Sequence, residues 1–215
     1  MQRIVLILAL AACESSVGEG DVVAYLRSQP EDARERLVRQ ATPVAENTKL
    51  VRRGDAPLTV LGKTLDVGDA MPDVALVDGK LGKIQLSALR GKLVVLSVVP
   101  SIDTRVCEVQ THKVSDAIQK LPEGTQVFTV SRDLPFAQTR FKEEALTQTL
   151  MGSDYHGGAF GRAFGIEVKE TGLLARSVWL IGTDGKIAYR EIVGDQGLEP
   201  NYDALVEAAR RAAGT

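Results

Sequence analysis

The chain has 215 residues, 44% of them apolar, and a formal net charge of −2. This length allows one domain with a full hydrophobic core and an additional segment. The balanced charge, with a sequence pI near 5.8, argues against nucleic acid as a partner. Two cysteines are too few for a disulfide scaffold.

The N-terminus predicts a lipoprotein signal peptide over residues 1–12. A short positive region, Met1–Arg3, precedes the apolar run Ile4–Leu10, and Leu10-Ala11-Ala12-Cys13 resembles the lipobox of bacterial lipoproteins. The run is too short to span a bilayer. We therefore expect Cys13 to carry lipid and to anchor the chain in the bacterial cell envelope, facing the periplasm or the exterior. A misplaced start codon or a buried N-terminal segment is the alternative.

Residues 13–48 are polar and predict a tether. A helix is expected over Glu31–Gln40, with Ser28 as its cap and Pro30 near its start. As a flexible stalk, the segment would hold the following domain on the order of 30 Å from a membrane. The alternative is an amphipathic arm that binds a partner, which would use the apolar residues Val22, Val23, Tyr25, Leu26, Leu37 and Val38.

Residues 49–215 predict one mixed α/β domain. It opens with a hairpin, Lys49–Arg53 and Leu58–Leu61, and Thr183-Asp184-Gly185 predicts a second hairpin near its end. Helices are expected after the second and third strand-like runs that follow the opening hairpin and at Tyr202–Ala213. Strands alternating with helices, together with an antiparallel hairpin, are typical of a mixed α/β sheet. The strand-like runs are Asp73–Val77, Leu93–Val99, Gln126–Val130, Ser177–Ile181 and Lys186–Ile192.

Cys107 lies where a buried strand gives way to a helix. Pro100 ends the apolar run, and helical spacing of apolar residues from Val106 to Leu121 predicts a helix that starts near Thr104, capped by Thr104 or by the preceding aspartate. The positive end of a helix dipole favours a thiolate, so Cys107 is a candidate nucleophile. The alternative is a small buried hydrophobic residue.

Three motifs resemble the thiol peroxidases of the atypical peroxiredoxin class. Pro100, Thr104 and Cys107 match the Pro-x-x-x-Thr/Ser-x-x-Cys pattern, within the fuller Pro-Ser-Ile-Asp-Thr-x-Val-Cys. The segment 131–141 is similar to that group's Ser-x-Asp-Leu-Pro-Phe-Ala-Gln-x-Arg-Phe, and 173–178 is similar to the strand that carries its active-site arginine. The resemblance runs from about Val51 to the C-terminus and implies a thioredoxin-like fold.

The resemblance also implies a role for each matched residue. Cys107 would attack the peroxide, and Arg176 would stabilise the thiolate and polarise the O–O bond. The Thr104 hydroxyl would bind the substrate oxygen, and Pro100 would shield the pocket from water. Cleavage by a thiolate needs donors of this kind at the departing oxygen. A surface position is the alternative for Arg176, but a charge inside an apolar run is seldom buried without a partner.

One position departs from the resemblance. The resolving cysteine of these proteins directly follows the Arg-Phe of the second motif, where this chain has Lys142. The other cysteine, Cys13, cannot resolve Cys107 if it carries lipid. The alternative is a free Cys13, which the long segment after it would allow to reach Cys107. We therefore expect a one-cysteine mechanism, in which an external thiol reduces the sulfenic acid.

Other motifs are weak. His112 lies about 140° round the helix from Cys107, which is poor geometry for a catalytic pair. His156 is expected in a turn before a helix, and two histidines with one free thiol do not make a zinc site. The absence of Cys-x-x-Cys excludes an ordinary disulfide oxidoreductase.

The sequence thus predicts a tethered peroxidase that reduces hydrogen peroxide and organic hydroperoxides without a metal or organic cofactor. Its partners would be a peroxide, a thioredoxin-like protein or low-molecular-weight thiol as reductant, and a membrane reached through the N-terminal lipid. The resemblance adds a homodimer. The alternative is a catalytically lapsed lipoprotein that serves as a redox sensor or binding module, which the missing resolving cysteine motivates.

Overall fold

The computed structural model describes residues 24, 25, 27–31, 33 and 45–214. The chain divides into two compact units, Met1–Ala45 and Glu46–Thr215. In the first unit Ser28 is itself helical and its hydroxyl donates to the carbonyl oxygen of Tyr25 at 2.7 Å, so the prediction of Ser28 as a helix cap is wrong. The signal peptide, Cys13 and most of the helix predicted at Glu31–Gln40 lie outside the described residues. No helix in the described part is long and apolar enough to cross a membrane.

The second unit is built on a mixed seven-stranded sheet. Its strands are β3 (Ala75–Val77), β4 (Lys83–Gln85), β5 (Val94–Val98), β6 (Gln126–Ser131), β7 (Leu150–Ser153), β9 (Ser177–Ile181) and β10 (Ile187–Ile192). Across the sheet they lie in the order β10-β9-β5-β6-β7-β3-β4. The parallel pairs are β5–β6 and β6–β7, and the other neighbours are antiparallel. The inner strand β5 is buried along its whole length, as its run of β-branched residues predicts.

A second sheet has three strands in the order β1-β2-β8. The hairpin of β1 (Glu46–Arg53) and β2 (Ala56–Leu61) turns at Gly54, whose φ of +59° suits glycine. The short strand β8 (Glu167–Val168) pairs with β2. This sheet brings the N-terminal hairpin against the segment that leads into β9.

Four α-helices complete the second unit: α1 (Arg105–Ala117), α2 (Pro135–Glu144), α3 (Ala159–Phe164) and α4 (Tyr202–Ala213). Short 3-10 turns lie at Leu86–Leu89, after β4, and at Ile118–Lys120, after α1. Residues from α1 and α4 pack on one face of the large sheet, around Val95 and Leu180. On the other face Phe164 packs edge-on against Trp179 with ring centroids 5.2 Å apart.

The predicted mixed α/β architecture is confirmed, and so are both hairpins, β9, α4 and the turn before α3 that holds His156. The helix predicted to continue to Leu121 ends as an α-helix at Ala117 and continues as a 3-10 turn. Strands β4, β7 and β8 were not predicted.

Candidate active site

Cys107 is the third residue of α1, and its side chain is buried. Its backbone N–H donates to the Thr104 carbonyl oxygen at 2.9 Å, which fixes it in the first turn of the helix. Cys107 has 0% exposure and packs with Val99 and Ile102, with Phe141 of α2 against the same cluster. In the described part of the chain it is the single cysteine. A peroxide can therefore reach the sulfur only through movement of the residues that cover it.

Arg176 supplies the charged partner of this thiol. Its Nη2 donates to the Cys107 Sγ at 3.3 Å, although the arginine is only 2% exposed. The sheet brings Arg176 to Cys107. Ser177 pairs with Val98 in the β9–β5 ladder, so Arg176 lies beyond the C-terminal end of β5, where the loop to α1 begins. Arg176 immediately precedes β9, which occupies the predicted residues Ser177–Ile181.

Two glutamines hold Arg176 in place, and the sequence analysis missed both. Gln110 on α1 accepts from Arg176 Nη1 at 2.6 Å and donates to the Ser97 hydroxyl of β5 at 2.9 Å. The Gln196 side chain accepts from the Arg176 backbone N–H at 2.5 Å, and its carbonyl oxygen accepts from Arg176 Nε at 3.1 Å. Each of the three guanidinium nitrogens therefore has a hydrogen-bond partner, as a buried charge requires.

Pro100 and Thr104 lie with Arg176 in the lining of a cavity of about 210 Å³. Thr104 is the N-cap residue of α1, but its hydroxyl makes no capping bond and instead lies 3.4 Å from the Ser101 carbonyl oxygen. The prediction that Thr104 or Asp103 caps the helix is confirmed for Thr104, which is the N-cap residue, although no side-chain hydrogen bond forms the cap. Thr104 is exposed and lines the cavity, where its hydroxyl can turn from the Ser101 carbonyl oxygen and donate to a substrate oxygen.

The loop between β5 and α1 is held by Asp133, which follows β6. Its two carboxylate oxygens accept from the Ser101 hydroxyl and from the Ile102 backbone N–H, both at 2.8 Å. The Asp133 backbone carbonyl in turn accepts from the Ser153 hydroxyl at 2.5 Å. Asp133 thus gives the second motif a structural role, because it positions the loop that carries Pro100 and Thr104.

A charged cluster lies between α1 and α4, next to the site. Lys113 contacts the Glu199 carboxylate at 2.9 Å and the Tyr202 hydroxyl donates to it at 2.8 Å. Burial raises the pKa of Glu199, but these two partners and the positive charge of Arg176 outweigh it and leave the pKa below its usual value. Burial, and then the Glu199 charge, raise the pKa of Tyr202, which is therefore a neutral donor at physiological pH.

Together these groups form a site for attack by a thiolate. A guanidinium directed at Sγ stabilises negative charge there, and the same fork can stabilise charge that moves to a departing oxygen. Thr104 adds an exposed hydroxyl on the cavity side. The four residues predicted from the sequence, Pro100, Thr104, Cys107 and Arg176, lie at one end of the large sheet.

Known proteins are similar to this chain in sequence. The Redoxin family model matches residues 66–206. The thiol peroxidase of Bacillus subtilis is 39% identical over 155 residues, covering 72% of this chain and 92% of that protein. The thiol peroxidase of Listeria monocytogenes is 41% identical over 157 residues, covering 73% and 94%.

Solved structures of related proteins have a similar fold. The peroxiredoxin-like protein from Aquifex aeolicus superposes with a TM-score of 0.71 at 34% identity, covering 80% of this chain and 99% of that one. A thiol peroxidase from Chromobacterium violaceum shares the fold with a TM-score of 0.68 at 19% identity, covering 76% and 97%. Fold and site thus define a redoxin with a thioredoxin-like fold. Within that family, the chain belongs to the thiol peroxidases.

Proposed function

We propose that this thiol-dependent peroxidase reduces hydrogen peroxide and organic hydroperoxides with Cys107 as its only redox thiol. The observation that carries the proposal is the buried hydrogen bond from Arg176 Nη2 to the Cys107 Sγ, 3.3 Å long. A charge-assisted bond of this kind stabilises the thiolate, which is the reactive form of cysteine.

The first half-reaction is an in-line displacement. The Cys107 thiolate attacks one peroxide oxygen, the S–O bond forms as the O–O bond breaks, and the departing oxygen takes up a proton to leave as water or an alcohol. Cys107 is then a sulfenic acid. Arg176 stabilises the charge on the departing oxygen, Thr104 donates to the peroxide, and Pro100 shields that side of the cavity.

The second half-reaction needs a thiol from outside the chain. The cysteines are Cys13 and Cys107, and position 142, next to the Phe141 that packs near Cys107, is lysine. One external thiol condenses with the sulfenic acid and releases water, and a second thiol reduces the mixed disulfide and restores Cys107. A thioredoxin-like protein or a low-molecular-weight thiol would serve.

The proposal extends to the location of the enzyme. Residues 1–12 form a lipoprotein signal peptide, Cys13 carries the lipid, and residues 13–48 tether the catalytic domain to a membrane of the bacterial cell envelope. The apolar run that ends in Leu10-Ala11-Ala12-Cys13 supports this reading. A homodimer of the catalytic domain completes the proposal.

Stopped-flow oxidation of a Cys13→Ser chain, whose single thiol is Cys107, tests the function. We expect fast oxidation by hydrogen peroxide and cumene hydroperoxide, none in Cys13→Ser/Cys107→Ser, and repeated turnover when thioredoxin, glutathione or dithiothreitol is added. Oxidation no faster than that of a free thiol would refute the proposal. A single stoichiometric oxidation without turnover would favour a redox sensor, which the complete burial of Cys107 would suit.

A further inference from the structure

The buried guanidinium of Arg176 is held by neutral oxygen atoms. The Gln110 side chain accepts from its Nη1 at 2.6 Å, and the backbone carbonyl oxygen of Gln196 accepts from its Nε at 3.1 Å. The third partner is the Cys107 Sγ at 3.3 Å, and of the three it is the one that can become an anion. In the described part of the chain the guanidinium forms no ion pair with a carboxylate, although Arg176 is only 2% exposed. Its positive charge is therefore left for the sulfur.

The Gln110 amide has a defined orientation. Gln110 has 0% exposure, and its Nε2 donates to the Ser97 hydroxyl at 2.9 Å and to the Val98 carbonyl oxygen at 3.3 Å, at the end of β5. A carbonyl oxygen can only accept, so the amide nitrogen must face the strand and the amide oxygen must face Arg176. Gln110 thus ties Arg176 to β5 through a neutral group.

Other charged side chains surround the pair of Cys107 and Arg176. They line the adjoining cavities or hold the loops of the site: Arg53, Asp103, Arg105, Glu108, Asp133, Glu144 and Glu199. Both signs occur, and all but Asp133 and Glu199 are exposed, where water weakens their effect on buried groups. Lys113 contacts Glu199 at 2.9 Å, and the titratable His112 and Tyr202 contact Glu108 at 4.0 Å and Glu199 at 2.8 Å. Variants at position 110 share this background, so its contribution cancels when they are compared.

We propose that Gln110 is a positioning residue whose neutrality favours the Cys107 thiolate, because it orients Arg176 without adding a negative charge that competes for the guanidinium. A carboxylate in its place would also accept from Nη1, but the resulting ion pair would balance the arginine without any help from the sulfur. The protonated thiol would then be favoured, and thiols do not attack peroxides as thiolates do. The inference rests on the proposed peroxidase function and adds to it the residue that sets the pH range of the reaction.

Gln110→Glu in the Cys13→Ser chain tests the effect of charge. Stopped flow gives the rate of Cys107 oxidation by hydrogen peroxide as a function of pH. The ultraviolet absorbance of the thiolate, measured against Cys13→Ser/Cys107→Ser, follows ionisation without any substrate. We expect the midpoints of both pH profiles to rise by about 1–2 units, as for a unit charge a few ångströms from the sulfur in a partly buried site. The slowing at neutral pH should be about tenfold or more and should narrow as the pH rises, which a merely structural defect would not produce.

Gln110→Met separates the hydrogen bonds from the charge. Methionine fills similar space and stays neutral, but it cannot hold Nη1. Oxidation of Cys107 should therefore slow by about tenfold at every pH, because a donor of the site is less well positioned, while the midpoint should stay the same or fall. This variant decides the question even if Gln110→Glu fails to fold. A midpoint that rose by about one unit or more in Gln110→Met would overturn the inference, since no charge has been added.

Gln119→Glu is the matched control for net charge. Gln119 is exposed in the 3-10 turn after α1, so the same substitution there should leave both midpoints in place. A rise equal to that of Gln110→Glu would assign the effect to net charge and overturn the inference. An unchanged midpoint in Gln110→Glu, while Cys107 still turns over peroxide, would also overturn it and leave the peroxidase function intact. Loss of Cys107-dependent turnover in the Cys13→Ser chain itself, with every peroxide, would refute the proposed function.

Discussion

The buried guanidinium of Arg176 has to meet two requirements. Its nitrogens need hydrogen-bond partners, because an unpaired buried charge is strongly destabilising, and one N–H must still point at the reactive Cys107 sulfur. The structure meets both demands by spreading the fork over three groups: the Cys107 Sγ, the Gln110 side chain and the Gln196 carbonyl oxygen. Geometry as well as charge should therefore matter at this position.

Arg176→Lys tests that point, because lysine keeps the charge and loses the planar fork. A single ammonium cannot reach all three partners, so we expect the rate of Cys107 oxidation by peroxide to fall by about 10²-fold or more, as for loss of one transition-state donor. Stopped-flow oxidation measures this rate. Arg190→Lys, at a half-buried arginine paired with the exposed Asp66, is the matched control and should react normally. An Arg176→Lys rate within a factor of two of the original would contradict the role of the fork.

Gln196 should act through Arg176, because it binds the backbone N–H and the Nε of that residue. In Gln196→Ala the buried Arg176 N–H loses its acceptor, which should lower the free energy of unfolding by about 1–3 kcal/mol. We also expect about a tenfold slower oxidation of Cys107, since a small displacement of a positioned donor has a large effect on rate. Gln196→Glu keeps an acceptor and should recover part of that rate.

Separate measurements of the two half-reactions distinguish a positioning role of Gln196 from a general loss of folded structure in Gln196→Ala. Reduction of the sulfenic acid by an external thiol does not require Arg176 to bind a peroxide, so its rate should change little in Gln196→Ala. Urea unfolding and separate stopped-flow measurements of oxidation and reduction provide the comparison. Equal slowing of both steps would indicate general damage and contradict the positioning role.

The candidate site could be predicted from the sequence only in part. Pro100, Thr104, Cys107 and Arg176 belong to motifs, and the buried charge of Arg176 inside an apolar run already required partners. Gln110 offered a weak signal, three residues after Cys107 and hence on the same side of α1. Gln196 offered none, because its role depends on a loop after β10 that returns to the start of β9.

At the scale of elements, the cluster of Lys113, Glu199 and Tyr202 joins α1 to the start of α4 and predicts a pH dependence. The lowered pKa of Glu199 means that the folded state binds its proton more weakly than the unfolded chain does. Its contribution to stability is therefore present above the ordinary value of 4.5 and is lost as the pH falls through the lowered folded value.

Glu199→Gln should remove that contribution. Because Glu199 is half-buried and its partner Lys113 is exposed, the loss in the free energy of unfolding at neutral pH should be modest, about 0.2–1 kcal/mol. The difference between the two proteins should shrink as the pH is lowered below 4.5. Urea unfolding from about pH 3 to pH 7 measures it, and Glu207→Gln, at a glutamate paired with Arg211 within α4, is the control. A difference that grew on acidification would contradict the assignment.

Elements with a strong local pattern were predicted well, and those that exist only through distant pairing were not. β9 is a continuous apolar run and α4 has a full amphipathic period, and both occupy the predicted residues. In contrast, β4, β7 and β8 have two to four residues each. β8 exists because β2, more than 100 residues earlier, lies alongside it, and no local pattern contains that information.

At the scale of the whole molecule, the proposed one-cysteine mechanism predicts how the enzyme is inactivated. Because position 142 is lysine and the proposed lipid occupies Cys13, the sulfenic acid of Cys107 should persist until an external thiol arrives, and excess peroxide can oxidise it further to sulfinic acid. We expect a Cys13→Ser chain to accumulate sulfinic acid at Cys107 under repeated peroxide without reductant. Intact mass spectrometry should show a gain of two oxygen atoms, and equimolar thiol added beforehand should suppress it. Absence of that product would contradict the exposure of the sulfenic acid to further oxidation.

The location of the whole chain depends on Cys13. If the signal is cleaved and lipid is attached, the enzyme produced in a bacterial host should enter the detergent phase on phase separation and the membrane fraction on centrifugation, because stable anchoring needs more than one acyl chain and a lipoprotein carries several. Cys13→Ala should move it to the aqueous phase, whereas Cys107→Ser should leave it in the detergent phase. If Cys13→Ala entered the detergent phase as fully as the unsubstituted chain, lipid at Cys13 could not be the anchor. That result would also refute the interpretation of residues 13–48 as a membrane tether.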